Sequence, residues 1–200
     1  MAWDTEGTKR KILDAAVTEF AAKGPDGTTI ERIARSAGVN KERVYNYFGD
    51  KRDLFAVVLR AELAKIASAV PAEPFAIEDI GGYAGRVFDY HLAHPELSRL
   101  LRWEGLTFDD EVPGETLRRE HYEQKAAVVA GGQAEGAVTG QVDADHLMFL
   151  ILCVAGSWSA SPHVARMMTG PESDSENARR RASVILAARR LAAPARDMEP

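Results

Sequence analysis

Apolar residues recur along this chain at the three-to-four-residue spacing of amphipathic helices, and alternation with a period of two is nearly absent. The first such stripe lies on a helix predicted over residues 8–23 and consists of Ile12, Leu13, Ala16, Val17 and Phe20. Gly24 and Pro25 follow directly and are expected to end that helix. The pattern predicts an all-α protein of about nine helices.

The later helices are bounded mainly by glycine, proline and polar capping residues. They are predicted over residues 29–37, 41–47, 51–70, 77–94, 95–105, 115–136, 143–159 and 175–192. Residues 162–170 are expected to be short and irregular. The helix over residues 143–159 is apolar on nearly every side, so we expect it to be covered on every side, in part by a second copy of the chain. Burial in the core of a single copy is the alternative.

Two short predicted helices between residues 28 and 51 are joined by a tight turn. Thr28 is predicted to cap the first of them, and Glu31 three residues later would complete a capping box. Gly38 suits the positive φ at its end, and Asn40 and Asp50 are predicted caps of the two helices that follow. Two short helices joined by a glycine-containing turn are typical of a DNA-binding helix-turn-helix.

The second helix of this motif carries side chains of the kinds that bind DNA. Lysine and tyrosine reach phosphates, arginine forks onto guanine edges and the asparagine amide pairs with adenine edges. The candidates are Lys41, Arg43, Tyr45, Asn46 and Tyr47. Arg43 and Asn46 are the candidates for base edges, whereas the carboxylate of Glu42 would be repelled by phosphate. Packing is the alternative role for Tyr47.

The charge of the whole chain argues against nucleic-acid binding, but its distribution does not. There are 25 Lys and Arg against 30 Asp and Glu, which gives a net charge of −5. Residues 28–52 alone contain six basic and three acidic residues, a net charge of +3. Because salt screens charges beyond about 8–10 Å, a local basic surface on an acidic protein still attracts phosphates.

The string TTIERIARSAGVNKERVYNYFGDKRDLF resembles the signature of the TetR family of transcriptional regulators. The matching pieces are the paired threonines, Ile33-Ala34, Ala37-Gly38-Val39, the Tyr-x-Tyr-Phe run and Lys51. Asn40 stands where serine is commoner, and Glu42 stands where glycine often occurs. The resemblance implies phosphate contacts by Thr29, Lys41, Tyr45, Tyr47 and Lys51. Thr28 joins the candidate DNA-binding set, with capping alone as its alternative role.

The resemblance also implies how the chain is organised. It predicts a DNA-binding domain over residues 1–51, a linking helix and connector over 52–74, and a helical effector-binding and dimerisation domain over 75–200. It further implies a homodimer formed through the last two long helices, which represses transcription from a palindromic operator and is released by a small-molecule effector. The sequence does not separate a repressor from an activator.

A ligand pocket among the C-terminal helices is also implied by the resemblance. Aromatic and apolar walls with few polar groups are typical of such pockets. The candidate lining residues are Tyr83, Phe88, His91, Trp103, Phe108, Tyr122, Phe149 and Trp158. For each of them taken singly, an ordinary place in the hydrophobic core is the favoured alternative, and the chemical nature of the effector is left open.

Enzymatic motifs are missing from the sequence. It contains no phosphate-binding Gly-Lys-Ser/Thr loop and no Gly-x-Ser-x-Gly nucleophile motif, its five histidines are scattered, and Cys153 is its one cysteine. We therefore expect no catalytic residue, metal or cofactor. The alternative function is a helical small-molecule-binding protein or enzyme whose DNA-binding head is vestigial. With no long apolar run and a polar stretch at Met1–Arg10, we expect a cytoplasmic protein that does not bind membranes.

Overall fold

The computed structural model describes residues 5–71, 79–109 and 112–194. These residues form ten α-helices and no strand, which confirms the predicted all-α class. The helices are α1 (Thr5–Lys23), α2 (Ile30–Ala37), α3 (Lys41–Phe48), α4 (Lys51–Ala69), α5 (Ile80–Ala93), α6 (Pro95–Thr107), α7 (Glu115–Ala134), α8 (Ala144–Ala160), α9 (Pro162–Thr169) and α10 (Asp174–Ala192).

One of the ten described helices, α9, was not predicted from the sequence. Residues 162–170 were expected to be irregular, but they contain α9. Pro162 occupies the first turn of α9, where its fixed φ favours a helix and its missing N–H has no helical partner to lose. Gly170 then ends α9 with a φ of 89°. The predicted start of the second domain at Phe75 lies outside the described residues.

The chain divides into two compact units. The head unit contains residues 1–65 and 95–115, and the body unit contains residues 66–94 and 116–200. The head unit thus includes α6, which the sequence assigned to the second domain. The boundary at residues 65 and 66 falls within the continuous helix α4.

The core of the head unit joins helices that are distant in sequence. Phe20 of α1 and Phe55 of α4 are fully buried and meet edge to face, with ring centroids 5.1 Å apart. Phe108, just after α6, stacks on Phe55 with ring centroids 5.9 Å apart. Leu100 of α6 is buried in the same cluster. Burial of these apolar side chains fixes the helices that carry the helix-turn-helix.

In the body unit, α5 packs against both α8 and α10. Tyr83 and Phe88 of α5 are buried in this core, together with Ile151 of α8. Arg181 of α10 donates from Nε to both carboxylate oxygens of Asp89, at 2.9 and 2.8 Å. Helix α7 is packed much less tightly, since only Val129 and Gly132 of its 20 residues are buried.

In the described ranges no single helix is both long and apolar enough to cross a bilayer. Helices α8 and α9 meet the length and composition requirement only when taken together, and they are bent by 80° at the break between them.

Candidate functional site

The turn between α2 and α3 has the geometry that the sequence predicts. Gly38 adopts the left-handed conformation, with φ 67° and ψ 35°, and its N–H donates to carbonyls in the last turn of α2. The N–H of Val39 donates to the carbonyl of Ala34 at 2.9 Å. These bonds satisfy the open carbonyls at the end of α2 and reverse the chain sharply into α3.

The cap of α2 lies one residue later than predicted. Thr29 is the N-cap, with an extended backbone and an Oγ1 that accepts from the N–H of Arg32 at 3.3 Å. Thr28 is buried, and its Oγ1 donates to Oε2 of Glu19 at 2.8 Å. The predicted capping box of Thr28 and Glu31 was therefore wrong. Thr29 is exposed at the start of α2, whereas the hydroxyl of Thr28 is engaged within the head unit.

Helix α3 has one buried side and one exposed side. Val44 is fully buried and anchors α3 in the core of the head unit. Lys41, Tyr45 and Asn46 are exposed, and Arg43 is partly buried. Asn40 occupies the N-cap as predicted, although its side chain makes no capping hydrogen bond. The exposed residues of α3 therefore present an ammonium, a carboxylate, a phenol and an amide to solvent, from Lys41, Glu42, Tyr45 and Asn46.

Tyr47 connects α3 to the start of α1. It is partly buried, and its ring meets Phe48 edge to face at 6.3 Å. Nζ of Lys9 lies over the same ring, 5.9 Å from its centroid. Lys9 was not among the residues predicted for this surface, because its contact with Tyr47 joins residues far apart in the chain. The available signal was the basic run Lys9-Arg10-Lys11 at the beginning of α1.

Lys51 begins α4 and reaches back to the residues before α2. Its Nζ donates to the carbonyl of Thr28 at 3.3 Å and lies 3.8 Å from Oδ1 of Asp26. The predicted cap of α4 is confirmed, since Oδ1 of Asp50 accepts from the N–H of Arg52 and of Asp53 at 2.7 and 2.9 Å. Lys51 thus has a structural contact in addition to the role in DNA binding that the sequence suggested.

Charged groups on the head unit pair with one another. Nζ of Lys41 lies 3.4 Å from Oε1 of Glu31. The pKa of the Glu31 carboxyl is lowered first by a hydrogen bond from its own backbone N–H and then by Lys41. The pKa of Glu19 is lowered by its hydrogen bonds with Lys23 and with Thr28. Lys41 therefore has a carboxylate partner that a phosphate would have to replace.

The eight residues expected to line a pocket lie in different surroundings. Tyr83 and Phe88 are in the core of the body unit, and His91 is partly buried there, where desolvation lowers its pKa. Tyr122 and Phe149 are exposed. Trp158 is partly buried beneath the guanidinium of Arg180, whose Cζ is 5.2 Å from the ring centroid. Trp103 and Phe108 pack in the core of the head unit.

Helices α8 and α10 form an apolar surface on the body unit. A groove of about 390 Å³ between them is lined by Cys153, Val154, Ser157, Trp158, Ser183, Val184 and Ala187. Phe149 on α8 is 65% exposed and Leu186 on α10 is 58% exposed. The apolar residues of α8 are thus not all covered within one chain, which differs from the alternative of a wholly internal helix.

One group in the described residues has metal-ligand atoms close together. Side-chain atoms of Asp143, Asp145 and His146 lie within 4.8 Å of one another, and all three residues are exposed. Exposed acidic groups of this kind are common without a metal, and no role follows from the cluster.

The geometry defines a helix-turn-helix protein, and comparison with known proteins gives its family. Residues 12–58 match the family described as bacterial regulatory proteins of the tetR family. Residues 79–190 match the family described as the tetracyclin repressor-like C-terminal domain. The chain belongs to the TetR family, and it is a DNA-binding transcriptional regulator.

Several relatives match over most of the chain. The HTH-type transcriptional repressor SCO4008 of Streptomyces coelicolor is 42% identical over 191 residues, which cover 95% of this chain and 97% of that repressor. The HTH-type transcriptional regulator RutR of Escherichia coli is 32% identical, with 78% and 73% coverage. The crystal structure of SCO4942 from Streptomyces coelicolor has a TM-score of 0.76, at 29% identity and 92% and 98% coverage. These relatives are named as regulators.

Proposed function

We propose that the protein is a homodimeric transcriptional repressor, which binds a palindromic operator and is released from it by a small-molecule effector. The observation that carries this proposal is that α3 is anchored by the buried Val44 and leaves Lys41, Tyr45 and Asn46 exposed. It would act on chromosomal DNA in the cytoplasm. It would catalyse no reaction. The 42% identity to a chain named as a repressor favours repression over activation.

The proposed DNA interface comprises the exposed side of α3 and the residues that flank it. Lys41, Tyr45, Tyr47 and Thr29 would hold phosphates, with the N-terminus of α2 adding its favourable backbone dipole. Arg43 and Asn46 would read base edges in the major groove. Lys51 would contact a phosphate while it keeps the hydrogen bond to Thr28. Thr28 would support the interface from within, through its hydrogen bond to Glu19.

Two copies would pair through α8 and α10. Exposed apolar side chains such as Phe149, Leu150 and Leu186 are costly in water, and a second copy would cover them. A twofold interface of this kind uses the same surface on both chains. A dimer would also present two α3 helices to the operator, since dimers of this motif bind half-sites about one helical turn apart.

Release would depend on α4, which runs without a break from the head unit into residues of the body unit. Ile66 of α4 packs against the core that contains Tyr83 and Phe88. An effector that binds better to one arrangement of the body unit would shift α4 and so change the spacing of the two α3 helices. The effector needs only to favour a spacing that does not fit the operator.

Footprinting on the DNA upstream of the protein's own gene tests the proposal. We expect protection of a sequence with twofold symmetry and one dimer per site by sedimentation. The matched control is a chain with Lys41→Ala, Tyr45→Ala and Asn46→Ala, which should fold and dimerise but lose the footprint. Specific protection by this control, or no protection of any DNA by the wild type, would contradict the proposal and favour a protein with a vestigial head.

A further inference from the structure

The side-chain ammonium of Lys125 lies near two aromatic rings in the body unit. Its Nζ lies 5.9 Å from the ring centroid of Tyr83 on α5 and 5.7 Å from that of Tyr122 on α7 itself. In the described part of the chain, Nζ of Lys125 forms no ion pair with a carboxylate within 4.0 Å, and these two rings lie nearby instead. Lys125 is also the one lysine in residues 66–200.

This placement leaves the charge only partly compensated. The attraction of an ammonium to an aromatic face is weaker than the cost of withdrawing an unpaired charge from water. Burial lowers the pKa of Lys125, so the surroundings disfavour the charged form. Burial also raises the pKa of Tyr83 to about 12, which keeps its phenol neutral. An anion near Nζ would remove most of the unfavourable energy.

The side chain of Lys125 is not fully enclosed, since Lys125 is only partly buried and Tyr122 beside it is 44% exposed. Helix α7 buries only Val129 and Gly132, which lie in its second half, whereas α5 buries seven of its 14 residues. Lys125 lies one turn before Val129 and therefore on the side of α7 that turns inward. Arg118 and Tyr122 lie on the same side, since they precede Lys125 by seven and three residues.

We propose that Lys125 is the anchor for the anionic group of the effector, with the rings of Tyr83 and Tyr122 beside its apolar part. The ligand class is a small organic carboxylate with a planar or apolar body. This inference rests on the proposed function, because it assigns the chemistry of the effector that the body unit receives.

Three probes of nearly equal shape and different charge test the assignment: benzoate, benzamide and benzamidine. Their affinities for the purified full-length protein are measured by calorimetry and thermal unfolding at matched ionic strength. Benzoate should bind best and raise the melting temperature by about 3–6 °C at a tenfold excess over its dissociation constant. Equal affinities, tighter binding of benzamidine, or no binding of benzoate would overturn the proposal.

The decisive variant is Lys125→Met, with Arg119→Met on the exposed side of α7 as its control. Lys125→Met should weaken benzoate about tenfold or more and leave benzamide unchanged, whereas Arg119→Met should alter neither. Lys125→Met should also melt at the same or a higher temperature than the wild type, since it removes an uncompensated charge. A clear loss of stability would identify Lys125 as a structural residue and overturn the proposal.

Release of DNA is measured in the same samples, so that the two proposals fail separately. If binding of a neutral or cationic probe releases the protein from DNA and benzoate has no such effect, the proposed control by an effector is supported. The proposed carboxylate site at Lys125 is then wrong. If benzoate binds through Lys125 without changing the affinity for DNA, the site stands and its coupling to the head unit is wrong.

Discussion

The indole of Trp103 lies directly against Gly24. A Cβ placed on Gly24 would come within 2.7 Å of the Trp103 ring, and Gly24 has a φ of 71°. Gly24 follows α1 and Trp103 belongs to α6, so this contact holds α6 against the turn that leads to the helix-turn-helix. Trp103 was expected in an effector pocket, and this contact gives it a place in the packing of the head unit instead.

Gly24→Ala should destabilise the head unit more than Gly38→Ala does. Both glycines have a positive φ near 70°, but a Cβ on Gly38 would meet nothing within 4 Å. Gly38→Ala should cost about 1–2 kcal/mol from backbone strain, and Gly24→Ala about 1–3 kcal/mol more from the clash. Urea unfolding at equilibrium measures both. Equal losses would mean that the indole moves aside freely.

Glu19→Gln should lower stability at neutral pH and matter less in acid. Hydrogen bonds with Lys23 and Thr28 lower the pKa of Glu19 below its ordinary value of 4.5, so the charged form is favoured in the folded state. The contribution is therefore present above about pH 4.5 and is lost as the pH falls through the folded-state pKa. We expect about 1 kcal/mol in the free energy of unfolding near pH 7.

The control for this variant is Glu6→Gln, which removes an exposed ion pair of 2.9 Å with Lys9. Exposed pairs contribute little, so its effect should stay below about 0.5 kcal/mol at any pH. If the difference in the free energy of unfolding between wild type and Glu19→Gln does not shrink in acid, the charge of Glu19 does not contribute to stability.

Lys9→Gln should weaken binding to operator and to random DNA equally. The ammonium of Lys9 lies over Tyr47, beside the exposed side of α3, where it would neutralise a phosphate. The slope of log affinity against log salt should fall in magnitude by about one unit. Lys11→Gln provides a matched control, since Lys11 lies about 200° further around α1 and is exposed. The same fall in slope for both variants would assign the effect to net charge.

Phe149→Asp should convert the dimer to monomers. Phe149 is 65% exposed on α8, and a carboxylate there would be buried unpaired between two copies. Leu106→Asp is the control, because Leu106 on α6 is 76% exposed and belongs to the head unit. Sedimentation velocity should show monomers for the first variant and dimers for the second. An unchanged dimer in Phe149→Asp would exclude this surface as the interface.

The sequence predicted the helices well because their ends carry local signals. Gly38 and Asp50 act as expected, since each acts through backbone groups within a few residues. The cap of α2 was placed one residue too early because either threonine could accept the bond. What distinguishes the two is that the hydroxyl of Thr28 donates to the carboxylate of Glu19, which lies nine residues earlier in the chain.

The candidate pocket was harder to predict, because residue type does not say which core a side chain joins. Phe108 and Tyr83 are both aromatic residues from the predicted second domain, yet Phe108 stacks on Phe55 of the head unit. Lys125 gave no signal, since a single lysine on a polar helix looks like a solvated residue. The role proposed for Lys125 depends on its proximity to the ring of Tyr83, which lies on another helix.

Arg43→Ala tests most directly whether α3 reads the sequence of the DNA. The dissociation constants of wild type and variant are measured on the footprinted operator and on random DNA of equal length, at the same salt concentration. If Arg43 reads a base edge, the variant loses about 1–3 kcal/mol on the operator and much less on random DNA. Equal losses on the two DNAs would contradict the account.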